Sequence, residues 1–231
     1  MSLESEARDK PEPLVSDPVA YVLPMGIFLA FTWVGGNWPA IYPITYAVKV
    51  VVVALALIVL WGHYTKISWR YWWLGVIVGV VGIFQWVIMQ LWLQKHVEFF
   101  KPSADVFNPF DTFANPIVLW SFIFVRIASA ALVVPVMEEL FWRDYLWRYI
   151  LAPNDFKLAK VGEMNWAPFV IVCCAFALVH GNWWLTSIVW AAMIAGLLVY
   201  TKSIGACIIA HGLTNLLLAG YVLYTKDWAF W

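Results

Sequence analysis

Residues 72–94 read WWLGVIVGVVGIFQWVIMQLWLQ, a predominantly apolar run without a charged side chain. A helix needs about 20 consecutive apolar residues to cross the core of a bilayer, so this stretch predicts a transmembrane helix. The composition agrees, because 64% of the 231 residues are hydrophobic and only 12% are charged. Such a chain has too few polar groups to coat a soluble globule. The sequence therefore predicts an integral membrane protein that lies in the lipid bilayer.

Similar apolar stretches recur along the chain and predict an all-α, polytopic transmembrane bundle of about seven to eight membrane helices. They lie at residues 18–36, 43–62, 72–94, 116–137, 166–181, 184–200 and 203–224. The apolar run after residue 116 continues to Leu151. Either that helix is longer than drawn, or an eighth segment follows it. Residues 1–17 are expected to form a polar amino-terminal tail, and residues 18–231 a single transmembrane domain.

Charge and cysteine content restrict the partners. The chain has 14 basic and 14 acidic residues without a long block of like charge, so no nucleic-acid partner is expected. Its three cysteines have no CxxC spacing and predict neither a disulfide framework nor a thiolate zinc site.

The basic residues predict the orientation of the chain in the membrane. With the amino terminus inside, more basic residues fall in cytoplasmic segments than outside, and the positive-inside rule favours that orientation. The cytoplasmic set is Arg8, Lys10, Lys66, Arg70, Arg148, Lys157, Lys160 and Lys202, and the outer set is Lys95, Lys101 and Lys226.

Three groups of residues carry the candidate chemistry inside these apolar runs. They are Glu138-Glu139 with Arg143, Phe176 with His180, and His211 with Asn215. Ionisable groups at membrane depth cost free energy and point to function by default. On an α-helix, Arg143 lies about 40° from Glu139 but about 140° from Glu138. Glu139 and Arg143 are therefore expected to pair and to leave Glu138 as the freer carboxylate. The alternative is that these charges only form the cytoplasmic end of the helix.

Pro135 precedes the two carboxylates by three residues. Because proline lacks a backbone N–H and opposes the carbonyl of Ala131, we expect a kink just before the pair. A kink would make room for substrate or water.

The two histidine motifs each lie on one helical face. His180 follows Phe176 by four residues, and Asn215 follows His211 by four. Together with Glu138 they supply a general base, a second proton-handling group and hydrogen-bond donors, which is what attack of water on a carbonyl requires. The alternatives are that each His only hydrogen-bonds a neighbouring helix and that Phe176 only packs.

The ordered pattern EExxxR, FxxxH and HxxxN, spread over separate membrane helices, resembles the CPBP family. These are the CAAX-protease and bacteriocin-processing enzymes, also called the Abi family. The motifs lie within residues 134–215. The closing stretch, residues 214–231, further resembles the bacterial CAAX prenyl protease-related group that occurs alongside exosortase sorting systems. The resemblance implies a bacterial or archaeal cytoplasmic (inner) membrane.

The resemblance also implies roles for the matching residues. Glu138 and His180 would activate the attacking water, and His211 and Asn215 would stabilise the oxyanion. The protein would then be a glutamate-type intramembrane endopeptidase. Its partners would be a membrane-anchored or lipidated protein or peptide substrate and the lipid bilayer. The supporting residues would be Glu139, Arg143 and Phe176.

No cofactor is expected, because the motif spacing is not the HExxH that places two histidines on one zinc-binding face. Zinc is the alternative, and its ligands would be Glu138, His180 and His211 from three helices. A second alternative is a Cys/His nucleophile, since Cys207 precedes His211 by four residues.

A third alternative belongs to another functional class. It is a non-catalytic membrane protein, such as a chaperone, an immunity factor or a small transporter, that uses the same polar cluster for binding or proton movement. Arg126, in the middle of the fourth apolar run, is expected to make an interhelical structural contact rather than to join the site.

Overall fold

A computed structural model describes residues 15–102 and 106–231, and within these ranges the protein is helical without a β-strand. The predicted all-α fold is confirmed. The main helices are α1 (Asp17–Asn37), α2 (Tyr42–Val59), α3 (Trp72–His96), α4 (Pro116–Leu151), α5 (Trp166–Leu178), α6 (Trp184–Thr201) and α7 (Ile204–Thr225). Short 3-10 turns lie at Pro39–Ile41, Trp61–His63, Glu98–Phe100, Phe156–Leu158, Gly181–Trp183 and Trp228–Phe230, and a single α-turn at Pro109–Thr112. The predicted tail falls almost entirely outside the described residues.

Six of these helices, with the turns that adjoin them, are long and apolar enough to cross a membrane. The seventh, α5, has 13 residues, about 20 Å of helix, and is shorter than the bilayer core. The apolar run after residue 116 is one helix of 36 residues, so no separate eighth segment follows it. The prediction carried the fifth helix to residue 181, but α5 ends at Leu178. His180 therefore lies just beyond its end.

α3 and α7 pack against each other through glycines. A methyl group built on Gly75 would lie 2.4 Å from the carbonyl oxygen of Ala206, and one on Gly79 would lie 2.9 Å from that of Ala210. Small residues let membrane helices approach backbone to backbone in this way. The Thr214 hydroxyl of α7 donates at 3.1 Å to the Gly79 carbonyl. These contacts hold the two helices at close range and fix the position of α7.

α4 contains two π-helical segments, Ser129–Val133 and Leu140–Leu146, with an α-helical piece between them. Pro135 accounts for the first, because its missing N–H leaves the preceding turn without a hydrogen bond and the ladder widens there. The disturbance that the sequence predicts before the two carboxylates is thus present as a π-turn. π-turns inside α-helices are frequent at functional sites.

A buried polar cluster joins the far end of α4 to α1. Asp144 accepts hydrogen bonds from the Tyr21 hydroxyl at 2.6 Å and from Arg148 Nη1 at 2.5 Å. Arg148 also donates to the Ala159 carbonyl at 2.9 Å. These groups satisfy one another, so we assign them a structural role. Arg148 is buried in this cluster, whereas the count of basic residues for the positive-inside rule assigns it to a cytoplasmic segment.

Candidate active site

The two adjacent carboxylates of α4 have different surroundings. Glu139 is fully buried, and its Oε1 lies 3.2 Å from Arg143 Nη1 and 2.8 Å from His211 Nδ1. The Glu139–Arg143 pair that helical phase predicts is present. The contact with His211 was not predicted and joins α4 to α7. Glu139 thus forms the centre of a three-residue buried charge network.

Glu138 has no such partner. It makes no hydrogen bond with any side chain or backbone group of the described residues, and its Oε2 is buried without a partner. Oε2 of Glu139 is buried without a partner too, but Glu139 is held through its Oε1. Buried polar atoms in proteins are nearly always hydrogen-bonded, so an orphaned carboxylate oxygen needs an explanation. A bound water or substrate that completes the site is the usual one.

Glu138 lines a cavity of about 120 Å³ between α3, α4, α5, α6 and α7. The four predicted catalytic residues all contribute to its wall, and so does the predicted supporting residue Phe176. The complete lining is Trp86, Val134, Glu138, Phe176, His180, Trp190, His211, Thr214, Asn215 and Leu218. The cavity has room for water molecules, and its wall carries polar groups that can bind them. Glu139 and Arg143 stand behind this wall.

His180 is held by the end of α5. Its Nδ1 lies 2.7 Å from the carbonyl oxygen of Phe176, and because a carbonyl only accepts, Nδ1 carries the proton. Nε2 is then the nitrogen available to the cavity. The imidazole ring stacks on the Phe176 ring with centroids 4.3 Å apart. Gly181, with a left-handed φ of 54°, turns the chain sharply after the histidine.

The α7 residues are also anchored. Asn215 Nδ2 donates to the carbonyl oxygen of Ala130 at 2.8 Å, within the first π-turn of α4. One amide hydrogen is thereby committed to the backbone and the other is left for the cavity. With Nδ1 of His211 turned to Glu139, its Nε2 is the free ring nitrogen. The second amide hydrogen of Asn215 is one donor left for the oxyanion, and Nε2 of His211 is a second donor when both ring nitrogens carry a proton.

Phe176 connects the two halves of the site. The Arg143 guanidinium lies 4.8 Å from the centroid of the Phe176 ring. The same Phe176 ring stacks with the imidazole of His180. A cation near an aromatic face is attracted by about 0.5–2 kcal/mol. Nε and Nη2 of Arg143 have no other partner in the described part of the chain. Phe176 therefore separates the charge network from the cavity and orients His180.

Five wall residues were not predicted from the sequence, and they are Trp86, Val134, Trp190, Thr214 and Leu218. Trp86 and Trp190 belong to no motif. Both lie in the middle of an apolar run rather than at its ends, where interfacial tryptophans lie, and this position could have indicated that they face the site. Trp190 is 2% exposed, and its ring lies 4.6 Å from that of His211. Lys49, a lone charge in the second apolar run, was also missed and is buried.

The alternative chemistries are less well supported by the geometry. Cys207 is buried and its Sγ contacts the Ile194 carbonyl at 3.8 Å rather than His211. Arg126 hydrogen-bonds Tyr42 on α2, which is an interhelical contact as predicted. In residues 15–102 and 106–231, no three His, Cys, Asp or Glu side chains group as metal ligands, and Glu138, His180 and His211 do not form such a set. The expectation of a metal-free site stays a prediction.

Comparison with protein families identifies the central region. The family described as "Type II CAAX prenyl endopeptidase Rce1-like" matches residues 119–217. This region is similar to that family. The match confirms the CAAX-protease resemblance drawn from the motifs, and it ends two residues after Asn215. The resemblance to the exosortase-associated group stays a prediction.

The Rce1-like region contains the cavity-wall residues of α4, α5, α6 and α7 except Leu218, which lies one residue beyond its end. The matched family is one of endopeptidases, so the match supports peptide-bond hydrolysis as the activity class. Comparison with curated proteins and with solved structures returned no significant match. The protein is thus an integral membrane protein with an Rce1-like region, for which peptide substrates are expected.

Proposed function

We propose that this protein is an intramembrane endopeptidase in which Glu138 and His180 activate water. The observation that carries the proposal is the shared cavity, which brings the unpartnered Glu138 carboxylate together with His180, His211 and Asn215. No hydrogen bond joins Glu138 to His180. A water between them would satisfy both groups.

In the first step Glu138 accepts a proton from this water, and the oxygen forms a bond to the carbonyl carbon of the substrate. His180 orients the water through Nε2, because its Nδ1 is committed to Phe176. Glu138 then passes the proton to the amide nitrogen, the C–N bond breaks, and the new amine leaves. General acid–base catalysis of this kind contributes about 10²–10⁴-fold to the rate.

The tetrahedral intermediate carries a negative oxygen that needs fixed donors. A protonated Nε2 of His211 and the second amide hydrogen of Asn215 supply them. Glu139 holds the ring of His211, and Ala130 holds the amide of Asn215, so neither donor has to reorganise during the reaction. Preorganised donors are worth about 10²–10³-fold each.

The substrate is a membrane-anchored or lipidated protein or peptide. The cavity lies among membrane helices, and the name of the matched family refers to a carboxy-terminal motif whose cysteine carries a prenyl group. A lipid anchor would keep the scissile bond near the bilayer.

Cleavage of an internally quenched, farnesylated CAAX peptide by the purified protein in lipid vesicles tests the proposal. We expect Glu138→Gln and His180→Ala each to lower kcat/KM at least about a hundredfold, because each removes a proton-handling group. Matched controls are Glu98→Gln and His96→Ala, which change exposed residues at the end of α3 and should leave the rate unchanged. A metal-free site predicts that chelators do not inhibit.

Two outcomes would contradict the proposal. If the wild-type protein cleaves neither this peptide nor a broad library of membrane peptides, the non-catalytic alternative is favoured. If the Glu138→Gln protein cleaves at the wild-type rate, Glu138 is not the base. Loss of activity on chelation, restored by zinc, would favour the zinc alternative.

A further inference from the structure

All three glutamines of the chain lie on α3, and none of them takes part in the mechanism above. They are Gln85, Gln90 and Gln94. Each has one buried side-chain atom without a hydrogen-bond partner among the described residues, namely Gln85 Oε1, Gln90 Nε2 and Gln94 Nε2. Amide atoms without a partner are costly inside a membrane bundle, where the surrounding side chains cannot hydrogen-bond them. Three such atoms on one helix therefore call for a common polar ligand.

Two of these glutamines continue the face of α3 that borders the catalytic cavity. Trp86, Gln90 and Gln94 follow one another at intervals of four residues, so they lie on one side of the helix. Trp86 lines the cavity that contains Glu138, and Gln94 lies about 12 Å further along α3. Gln90, between them, is 1% exposed. This face thus leads from the cavity to the end of α3.

A second pocket begins where this face ends. It has a volume of about 350 Å³, and its wall includes Gln94, Lys101, Asn182 and Trp183. The charged side chain of Lys101 is 52% exposed, so this pocket lies at the aqueous surface beyond the end of α3. We call it the end pocket.

One pair of stacked rings separates the end pocket from the catalytic cavity. Trp183 lines the end pocket, Trp86 lines the cavity, and their nearly parallel rings have centroids 6.1 Å apart. The turn that carries Trp183 also carries His180, whose ring lies 6.0 Å from that of Trp86. The same turn therefore contributes His180 to one space and Trp183 to the other.

Polar groups of α6 meet the glutamines between the two spaces. Thr186 is fully buried, and its hydroxyl donates to Gln90 Oε1 at 2.7 Å. The Thr186 carbonyl accepts a hydrogen bond from Gln85 Nε2 at 3.1 Å. These bonds fix the two amides and leave the second polar atom of each for another molecule.

The next turn of α6 brings the polar groups to the cavity. Trp190 lines the cavity, its ring lies 6.4 Å from that of Trp86, and its Nε1 is buried without a partner in the described part of the chain. Neighbouring positions on the α3 face are about 6 Å apart along the axis. One water that hydrogen-bonds two groups spans about that distance. Single waters can therefore join Gln94, Gln90 and Trp190 in sequence.

Water fits this face better than a peptide does. Gln90 is buried between packed helices, where single small molecules fit and a polypeptide chain does not. Hydrolysis also consumes one water molecule for each bond that is cut. The catalytic cavity lies among apolar membrane helices, so its water needs a polar route.

We infer that Gln94, Gln90 and Thr186 line a water path that runs from the end pocket to the catalytic cavity and delivers the hydrolytic water. The purpose of the path rests on the proposed function. It reaches the cavity beside His180, the group that orients the attacking water in the proposed mechanism. The three residues are positioning residues for the nucleophile and do not touch the scissile bond.

Cysteine labelling tests whether water reaches Gln90. The background is Cys174→Ser, because the other two cysteines are buried. Only a thiolate reacts with a charged methanethiosulfonate, and a thiol in apolar surroundings stays protonated, so Gln90→Cys should react at least about tenfold faster than Val53→Cys. Val53 is the matched control, since it is also 1% exposed and lies within α2. Equal rates would refute the path and leave the proposed function standing, because labelling requires no catalysis.

A reversible label tests whether the path serves hydrolysis. Gln94→Cys in the same background is modified with benzyl methanethiosulfonate, whose apolar group displaces water from the end pocket. Because the label cannot replace the hydrogen bonds of that water, we expect kcat for the farnesylated CAAX peptide to fall about tenfold with KM unchanged. Removal of the label with dithiothreitol should restore kcat, which excludes unfolding as the cause. The matched control is Lys95→Cys, the exposed neighbour, where the same label should leave kcat unchanged.

The outcomes separate the path from the proposed function. If labelled Gln94→Cys keeps its kcat in a Glu138-dependent reaction, the path does not deliver the hydrolytic water, and the proposed function stands. If the label raises KM and leaves kcat unchanged, the end pocket binds peptide, and the inference is again overturned. If the wild-type protein cuts no peptide, the purpose of the path is overturned together with the proposed function, whereas the labelling of Gln90→Cys still decides whether the path exists.

Discussion

At the level of single residues, Glu138 and Glu139 have the same side chain but differ in how far their surroundings offset the free-energy cost of burying it. Burying a carboxylate costs several kcal/mol, and an ion pair with further hydrogen bonds offsets that cost. Glu139 has both Arg143 and His211, whereas Glu138 has neither. A cost that is not offset within the protein is typical of a group kept for function at the expense of stability.

These surroundings predict opposite effects for two neighbouring substitutions. Glu139→Gln should lower the free energy of unfolding by about 3–5 kcal/mol, because it leaves Arg143 buried without its counter-charge. Glu138→Gln should leave stability within about 1 kcal/mol or raise it, because it removes an unpaired buried charge, while activity is lost. Thermal or denaturant unfolding of both variants in detergent micelles measures the difference. Equal losses of stability would contradict the assignment of the two roles.

Helical phase was sufficient to predict that Glu139, and not Glu138, pairs with Arg143. It gave no sign of the bond from Glu139 to His211, because that contact depends on how α7 packs against α4. The same limit applies to Lys49. A single lysine scarcely changes the mean hydropathy of an apolar run, so its burial beside Tyr46 becomes evident only from the structure.

At the level of helices, the irregular part of α4 sets the position of α7. The carbonyl of Ala130, in the first π-turn, accepts a hydrogen bond from Asn215, and the carbonyl of Ala131 lies against Gly212. A methyl group on Gly212 would be 2.5 Å from that Ala131 oxygen, which no side-chain rotation relieves. His211 and Asn215 are thus positioned by a glycine between them.

Gly212→Ala should therefore push α7 away from α4 and carry His211 and Asn215, the two proposed oxyanion residues, with it. We expect kcat to fall at least about tenfold, since misplacement of catalytic groups by about 1 Å costs up to a hundredfold. Gly220→Ala is the matched control on the same helix, because a methyl group there meets no atom within 4 Å. The measurement is kcat for both variants with the quenched peptide. Full activity in Gly212→Ala would show that the close approach does not set the site.

The sequence was sufficient to predict where most of the helices lie, because long apolar runs are decided by composition alone. It was insufficient for the end of α5, since Val179 continues the apolar run although the helix already ends at Leu178, before the turn through Gly181. It also missed the second π-turn of α4, at Leu140–Leu146, which no proline accounts for. Such features depend on contacts between helices.

At the level of the whole molecule, helices of unequal length bring the site together. α4 has 36 residues, about 54 Å of helix, and exceeds a bilayer core of about 30 Å. α5 is shorter than that core, so His180 at its end lies inside the bundle. A carboxylate far along one helix and a histidine beyond the end of another thereby face the same cavity.

Basic residues are also unevenly distributed between the two ends of the bundle. Lys157 contacts Asp17 and donates to the His63 carbonyl at 3.0 Å, and Lys202 hydrogen-bonds the Gly162 carbonyl. These contacts gather the start of α1 and three connecting loops at one end, together with Lys66 and Arg70. Lys95 and Lys226 lie at the opposite end. By the positive-inside rule, the first end is predicted to face the cytoplasm.

Labelling with a membrane-impermeant maleimide tests this orientation in a Cys174→Ser background, because Cys173 and Cys207 are buried and Cys174 is exposed. Lys95→Cys should react in intact cells, since Lys95 is exposed at the end predicted to face outward. Lys66→Cys, equally exposed at the other end, should react only after the membrane is permeabilised. The reverse pattern would mean that the basic end faces outward. It would also place the apolar groove between the starts of α2 and α4 in the cytoplasmic half of the bilayer.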